Sequence, residues 1–402
     1  MDEMGYGSVS STAAVGGHDG LSAVPPPVRQ DSPTDRAGLA WEGATAPSGR
    51  EDGTDEEGIA APAATSTAVL HAQRGSSGIR RALRVARRPE TGALIGTVAV
   101  FIVFAIAGGG KGFLSAAATA GWLNTSAELG IVVIPVAMLL IAGEFDLSVG
   151  AVLSATTVTI SIMYGHFDVP LPVAVVVAFT VAFVVGLING LAVVRTGLPS
   201  FIVTLATYLA LTGLTLTIMR AITGTTILSL DPEGWVDTIF ADKIGTLNAS
   251  VVWWVGLTLL ATYVLTRRVF GNWVYATGGD LQAARETGVP TDRVKVTLFV
   301  LAALGAALVG TIQALEFKGG GIDQGSSFVF NSIIASVIGG ILLGGGYGST
   351  VGAMLGATTY GIVLTGVYYT GWPSDLAQAI LGGLLLVAVL ANNVFRRLAA
   401  RD

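Results

Sequence analysis

The feature that most constrains this chain is a series of long apolar stretches between residues 91 and 392. Each stretch approaches the roughly 20 residues that a helix needs to cross about 30 Å of hydrocarbon. Their high Gly and Ala content favours close helix–helix packing in lipid. The pattern predicts an all-α polytopic membrane protein with about ten transmembrane helices. We place these helices near 91–108, 127–142, 147–164, 171–194, 200–219, 249–266, 296–315, 329–343, 350–369 and 374–392.

Basic residues are unevenly distributed between the predicted loops. If the N-terminus is cytoplasmic, nine Lys and Arg residues that follow the first helix lie inside and four lie outside. Six more arginines lie in the basic juxtamembrane segment 74–90, directly before the first helix. This asymmetry is the one that the positive-inside rule describes. It predicts that both termini, including 396–402, are cytoplasmic.

The N-terminal region 1–73 differs from the membrane body. Residues 1–60 carry eleven acidic and three basic side chains, a net charge of −8, among many Gly, Ser, Pro and Thr residues. Few apolar residues recur at a regular period, so no face could be buried to offset chain entropy. We predict a disordered cytoplasmic tail, either an interaction segment or a solvated spacer, and not a signal peptide.

The composition disfavours catalysis by this chain. It contains no cysteine and three scattered histidines, so thiolate chemistry is excluded and a histidine metal cluster is not expected. The nearest match to a phosphate-binding loop, at 108–112, lacks the leading Gly and the Ser or Thr after the Lys. A membrane enzyme would need a convergent catalytic set. We expect no catalytic residue, no metal site and no nucleic-acid partner.

One segment recurs within the membrane body. Residues 149–157 and 351–359 are identical at seven of nine positions, at an offset of 202. Repeated halves are common in transporters, whose substrate paths run between the repeats. This internal repeat predicts that the membrane body consists of two repeated halves. Gly, Ala, Val and Thr are abundant in this sequence, so a chance similarity between the two segments is the alternative.

Two acidic side chains lie between the second and third predicted helices, in what we call the hinge segment (143–150). Carboxylates at membrane depth are costly and usually have a function. Asp146, followed by Ser148, also suits a helix N-terminus, where it would accept from free backbone N–H groups. A helix cap and a substrate or gating contact therefore both stay open. The hinge motif consists of Gly143, Glu144, Asp146 and Gly150.

A long polar loop at 278–295 is predicted to lie inside. Asp280 precedes a short helical pattern, which Gly288 and Pro290 end. Such a helix has little apolar face of its own, so it needs a partner to pack against. A docking surface for a peripheral subunit and an ordinary connection are both compatible with this pattern.

Four segments together resemble the permease subunit of bacterial ATP-binding-cassette importers, in the ribose/xylose-type monosaccharide branch. They are AGEFDLSVGAVLS (142–154), GLPSFIVTLATYLALTGL (197–214), YATGGDLQAARETGV (275–289) and IGGILLGGGYGSTVGAMLGA (338–357). The resemblance covers about 91–395. It implies that 278–295 is the loop that couples to the ATPase, with Gln282 in place of the family's Glu. The implied coupling residues are Gly279, Asp280, Gln282, Ala283, Ala284, Arg285 and Gly288.

The resemblance also implies a function and its partners. The chain would be a multi-pass protein of the bacterial inner membrane that carries a pentose or hexose, such as ribose or xylose. Two ATP-binding subunits, a second permease subunit and an extracytoplasmic sugar-binding protein would assemble with it. ATP and Mg would be bound by the partner ATPase, with no cofactor on this chain. Alternatives are a nucleoside, a branched-chain amino acid or an autoinducer-type furanose as substrate, or an ion-coupled secondary transporter.

Polar and aromatic side chains on apolar helices are candidates for the substrate pathway, because sugars require hydrogen bonds and aromatic faces. Ordinary interhelical hydrogen bonds and packing are the alternative. Trp253 and Trp254 are predicted to lie at the membrane interface, and the outer loop 220–248 could receive the binding protein. The pathway candidates are Asp146, Ser148, Asn189, Phe201, Thr204, Tyr208 and Asn331.

Overall fold

The computed structural model describes residues 89–399. The predicted tail, nearly all of the basic segment and residues 400–402 lie outside the described residues. The helices are α1 (Pro89–Gly108), α2 (Ala116–Ile141), α3 (Val149–Ile160), α4 (Leu171–Thr196), α5 (Ser200–Thr223), α6 (Trp235–Ala241), α7 (Ala249–Arg267), α8 (Val269–Gly279), α9 (Leu281–Glu286), α10 (Thr291–Glu316), α11 (Phe328–Ile338), α12 (Thr350–Thr370) and α13 (Leu376–Ala399). Short strands are β1 (Ile227–Ser229), β2 (Lys243–Ile244), β3 (Leu247–Asn248) and β4 (Gly319–Gly321).

Eight of the described helices are long and apolar enough to cross a membrane, namely α1 to α5, α7, α10 and α12. The third of them, α3, continues through a π-helical turn at Ser161–His166. Two shorter apolar helices, α11 and the first part of α13, correspond to the eighth and tenth predicted spans. The all-α polytopic fold is confirmed. Because α11 has 11 residues and rises about 16 Å, it does not span a bilayer by itself.

Helices α2 and α10 form the centre of the described bundle, and 83% of the apolar window of each is buried. Helix α10 packs against α2, α3 and α4, whereas α2 packs mainly against α7, α11 and α12. Small residues permit these contacts. At Gly186 of α4, for example, a Cβ atom would lie 2.8 Å from the carbonyl oxygen of Phe299.

The prediction placed the start of α2 too far along the chain. The helix begins at Ala116, whereas the apolar run suggested residue 127. Polar side chains interrupt the run, but the fold supplies them with partners. Asn124 Oδ1 accepts from the backbone N–H of Asn248 at 3.0 Å, and Glu128 Oε2 accepts from Gln313 Nε2 at 2.8 Å. Once these groups are paired, the helix can extend through them.

Trp254 lies in the core, so the prediction of an interfacial position was wrong for this residue. Its side chain is 1% exposed and packs on Gly130 of α2. A Cβ atom at Gly130 would meet the indole ring, so the missing side chain provides the recess that Trp254 fills. The neighbouring Trp253 stacks on Phe240, with ring centroids 5.4 Å apart.

The two copies of the internal repeat both lie at the beginning of a helix. The first begins α3 and the second lies in the first turns of α12. The glycine at the second position of each copy approaches a backbone carbonyl closely. A Cβ atom at Gly150 would lie 2.4 Å from the oxygen of Gly325, and one at Gly352 would lie 2.2 Å from that of Gly339. Because other glycines of the described bundle, such as Gly278 and Gly356, approach backbone carbonyls as closely, the two repeated halves stay a prediction.

The connection between α5 and α7 is structured. Strand β1 pairs antiparallel with β4, so that Ile227 lies opposite Gly321. Helix α6 and the β2–β3 hairpin complete the connection. The pairing joins the predicted outer loop to the segment that follows α10.

Candidate functional site

The hinge segment turns the chain sharply between α2 and α3. Gly143 adopts φ +84°, a conformation that favours glycine, and its N–H donates to Leu140 at 2.9 Å. The carboxylates that follow are both buried: Glu144 is 8% exposed and Asp146 is 1% exposed. Their burial requires specific partners, and the two residues use different ones.

Glu144 forms an ion pair with Lys295 in the first turns of α10. The side chains are 10% and 12% exposed, and Lys295 Nζ lies 2.5 Å from Glu144 Oε1. Removing one partner of such a pair would leave an uncompensated buried charge. The contact joins the hinge segment to the helix that directly follows the predicted coupling loop.

Asp146 binds its own turn. Its Oδ1 accepts from the backbone N–H of Ser148 at 2.7 Å and from the Ser148 hydroxyl at 2.6 Å. Its Oδ2 is buried without a partner. Burial raises the pKa of the Asp146 carboxyl to about 6. The carboxylate therefore organises the turn that leads into α3, while Ser148 makes no side-chain capping bond to that helix.

A chain of buried polar side chains continues from Ser148. The Ser148 hydroxyl accepts from Asn189 Nδ2 at 2.8 Å, and Asn189 Oδ1 accepts from the Thr207 hydroxyl at 2.6 Å. These bonds connect the hinge segment to α4 and α5. Ser148 and Asn189 are fully buried, so in this conformation they hold helices together and do not face an open path.

Two hydroxyl groups at the beginning of α5 also form hydrogen bonds with the hinge segment. The hydroxyl of Ser200 accepts from the N–H of Phe145 at 3.0 Å, and that of Thr204 accepts from the N–H of Leu147 at 3.1 Å. Thr204 was predicted as a pathway residue, whereas Ser200 and Thr207 were missed. The i, i+4 spacing of Ser200 and Thr204 on one helix face was the available signal.

Three other predicted pathway residues lie outside this network. Phe201 is 51% exposed, and Tyr208 is partly buried on the same helix. Asn331 is on α11, where its Nδ2 donates to the hydroxyl of Tyr360 at 2.9 Å. The structure thus brings Asp146, Ser148, Asn189 and Thr204 together and leaves the remaining three apart.

The predicted short helix in the polar loop is confirmed as α9. Asp280 caps its start, since Oδ1 accepts from the N–H groups of Gln282 and Ala283 at 3.0 Å each. Gly288 adopts φ +83° and its N–H donates to Arg285 at 3.0 Å, which ends the helix.

One residue of α9 is buried, Leu281 is partly buried and the other four are exposed. Ala284 is 4% exposed, whereas Gln282, Ala283, Arg285 and Glu286 are exposed. Arg285 donates to Thr291 Oγ1 at 3.1 Å and forms an ion pair with Asp292 at 2.8 Å. The helix therefore presents a fixed polar surface at one end of the bundle.

The hinge segment, the polar loop and the connection before α12 meet directly. A Cβ atom at Gly278 would collide with the carbonyl oxygen of Ile141, and the same oxygen accepts from the N–H of Gly346 at 2.8 Å. Tyr275 donates from its hydroxyl to the carbonyl of Gly348 at 2.9 Å. The contacts at Gly278 and Gly346 join backbone atoms directly, whereas that of Tyr275 is made by its side chain.

These features define a multi-pass membrane protein in which a buried hinge contacts the residues that flank a short polar surface helix. Residues 118–389 match the family described as branched-chain amino acid transport system / permease component. The match covers more than half of the chain, and the chain belongs to this permease family. The prediction of a permease of the ABC importer class is confirmed.

Several curated relatives are similar over most of their length. The probable ABC transporter permease protein YphD of Escherichia coli (strain K12) is 30% identical over 303 residues, 75% of this chain and 89% of that protein. The fructose import permease protein FrcC of Rhizobium meliloti is 31% identical over 318 residues, 78% and 87% of the two chains. The autoinducer 2 import system permease protein LsrD of Salmonella typhimurium is 26% identical over 268 residues, 66% and 80%. No solved structure matches the chain significantly.

Proposed function

We propose that this chain is the membrane-spanning subunit of an ATP-driven importer that carries a monosaccharide, with ribose, xylose and fructose as first candidates. Family membership supports a transport permease, and the fructose permease among the relatives supports a sugar substrate. The observation that carries the coupling role is α9, a capped and exposed helix whose flanking residues contact the buried hinge segment.

The proposed assembly contains two ATP-binding subunits, a second and identical permease subunit and an extracytoplasmic sugar-binding protein. In this arrangement α9 and both chain termini face the cytoplasm. ATP and Mg are bound by the ATPase, and this chain supplies the path. The pathway candidates of the hinge network then act by holding helices in register rather than by touching sugar.

Mechanically, α9 acts as a rigid element. Asp280 and Gly288 define its two ends, and Arg285 ties it to the start of α10. A displacement of α9 reaches the end of α2 through Gly278 and reaches Glu144 through Lys295. Both contacts act on the hinge segment, so α3 can tilt relative to α2, as alternating access requires.

Substitutions at the two ends of α9 test this proposal. Asp280→Ala removes the N-cap, which costs about 1 kcal/mol, and Gly288→Val forces a β-branched residue into a left-handed conformation at about 1–2 kcal/mol. Either change should reduce ATP-dependent sugar uptake at least about tenfold and weaken co-purification of the ATPase, with normal membrane insertion. Asp280→Asn is the matched control, because Asn also caps helices. Wild-type uptake by Asp280→Ala and Gly288→Val would contradict the coupling role.

The autoinducer 2 import relative supports a second substrate class, a small furanose-like molecule. Uptake should therefore be measured with labelled ribose, xylose, fructose and autoinducer 2 in parallel. A clear preference for autoinducer 2 would replace the pentose or hexose assignment and leave the importer assignment intact.

A further inference from the structure

A polar cavity of about 170 Å³ lies between α2, α10, α11 and α12. It is separate from the hinge network and from α9. Gln313, which lines the cavity, is 22 residues from the start of α10, or about 33 Å along the helix. The cavity therefore lies toward the opposite end of the bundle from the coupling helix. The polar residues that line it are Thr125, Glu128, Gln313, Ser327, Asn331 and Tyr360.

One wall of the cavity contains an unsatisfied acceptor. Gln313 is 5% exposed, and its Nε2 donates to Glu128 Oε2 at 2.8 Å. The other end of the same amide, Oε1, is buried without a partner. A buried polar atom left unpaired costs about 1–3 kcal/mol, so a rotation of the Gln313 side chain that opens this oxygen to the cavity would favour a ligand that brings a donor.

Tyr360 adds a donor to the lining. Its hydroxyl accepts from Asn331 Nδ2 at 2.9 Å, so its single proton is available for an acceptor in the cavity. Thr125 donates its hydroxyl proton to the carbonyl of Gly121 at 3.0 Å, which leaves its oxygen free to accept. Phe328 and the Tyr360 ring add apolar surface to the lining.

We propose that this cavity binds one monosaccharide as a station on the transport path, an inference that rests on the proposed function. A sugar hydroxyl both donates and accepts, which suits a lining that contains an amide, a carboxylate and a phenol. The aromatic side chains supply the apolar contact that a sugar ring uses. The volume of about 170 Å³ suits one small polyol or several water molecules.

A cation is the competing occupant and fits less well. Only one carboxylate lines the cavity, and it is already paired with an amide N–H. Hard cations prefer six or more oxygen ligands. Among residues 89–399, no group of three or more His, Cys, Asp and Glu side chains could hold a metal ion.

The absence of cysteine from the sequence makes a direct test possible. Ser327→Cys places a thiol in the lining, and Ser326→Cys places one on the adjacent exposed residue outside it. The complete transporter, with its ATPase and binding protein, is treated with a water-soluble thiosulfonate. The monosaccharide that the wild-type complex transports should slow modification of Ser327→Cys at least about fivefold and leave Ser326→Cys unchanged. A sugar that is not transported should protect neither.

Transport kinetics provide the second readout. Tyr360→Phe removes only the hydroxyl, so KM for uptake should rise about tenfold with little change in kcat, the effect of one lost hydrogen bond. Thr358→Val is the control on the same helix, because its hydroxyl bonds only to the carbonyl of Met354.

The outcomes separate the two proposals. Normal uptake with equal modification of Ser327→Cys in the presence and absence of sugar would overturn the cavity as a sugar site and leave the importer function standing. Protection by Na⁺ alone would overturn it in favour of a cation site. A wild-type complex that transports none of the sugars would show that the proposed function itself is wrong, and the cavity proposal would fail with it.

Discussion

Two buried carboxylates in the hinge segment have opposite electrostatic surroundings. Glu144 has a cation beside it in Lys295, whereas Asp146 has only the hydroxyl and N–H groups of Ser148. Glu144 therefore has an ion-pair partner. Burial instead raises the pKa of the Asp146 carboxyl to about 6, which disfavours its anionic form. Substitutions at Asp146 and at Lys295 should therefore affect the stability of the protein in different ways.

For Asp146→Asn, we expect sugar uptake and substrate preference to be retained, because Asn keeps an acceptor for Ser148. Stability should respond to pH. A raised carboxyl pKa contributes stability that is complete below about pH 4 and is lost as the pH rises to about 6. From pH 4 to pH 7 the variant should gain on the order of 3 kcal/mol relative to the wild type.

Melting temperatures of the purified protein at several pH values measure this difference. A changed preference among sugars in Asp146→Asn would instead indicate that the residue contacts substrate. A constant difference in melting temperature across the pH range would contradict the raised pKa.

For Lys295→Met, we expect severe destabilisation, because Glu144 is left as a buried and unpaired carboxylate. Breaking a buried pair costs about 3–5 kcal/mol. The double variant Glu144→Gln, Lys295→Met should recover part of the lost melting temperature. Arg285→Met is the control, since its pair with Asp292 is about half exposed and should contribute no more than about 1 kcal/mol. Equal effects of the two single substitutions would contradict this assignment.

At the scale of elements, the junction of α2, α8 and the segment before α12 depends on backbone contact. Gly278→Ala would place a methyl group against the carbonyl of Ile141, so we expect a loss of several degrees in melting temperature and a loss of uptake. Gly279→Ala is the matched control, because nothing lies within 4 Å of its Cβ position. Equal melting temperatures for Gly278→Ala and Gly279→Ala would contradict the close contact between Gly278 and the carbonyl of Ile141.

Local signals predicted some elements well. The ends of α9 follow from Asp280 and Gly288, because capping and left-handed residues act within a few positions. The start of α2 also has a local signal that was missed, because Ser115 caps the helix and accepts from the N–H of Ala118 at 3.2 Å. The burial of Trp254 could not be predicted, since it depends on Gly130, which is distant in sequence. The hydrogen bond of Ser200 was likewise missed, because its partner is the backbone of Phe145, 55 residues earlier.

At the scale of the whole molecule, α5 is the least buried of the membrane helices described. Only 11% of its apolar window is covered, although its first turns hold the hinge segment. Phe201 and Leu209 are 51% and 63% exposed on this helix. A second permease subunit packed against α5 would bring the pathway candidates Phe201 and Tyr208 to the interface between the two copies.

Oxidative cross-linking tests this arrangement in a chain without cysteine. Leu209→Cys should give a covalent dimer of the permease in the assembled transporter. Ile106→Cys on α1 is 80% exposed and should not, because that helix would face lipid. Equal dimer formation from both positions, or none from α5, would contradict a homodimer built on α5.

In the proposed function, this permease carries a monosaccharide inward and a partner hydrolyses the ATP that drives transport. The decisive measurement is uptake of labelled sugar into proteoliposomes that contain the permease, its ATPase and its binding protein. We expect accumulation that requires both ATP and the binding protein and is lost in Gly288→Val. Accumulation driven by an ion gradient without ATP would show that the proposed function is wrong.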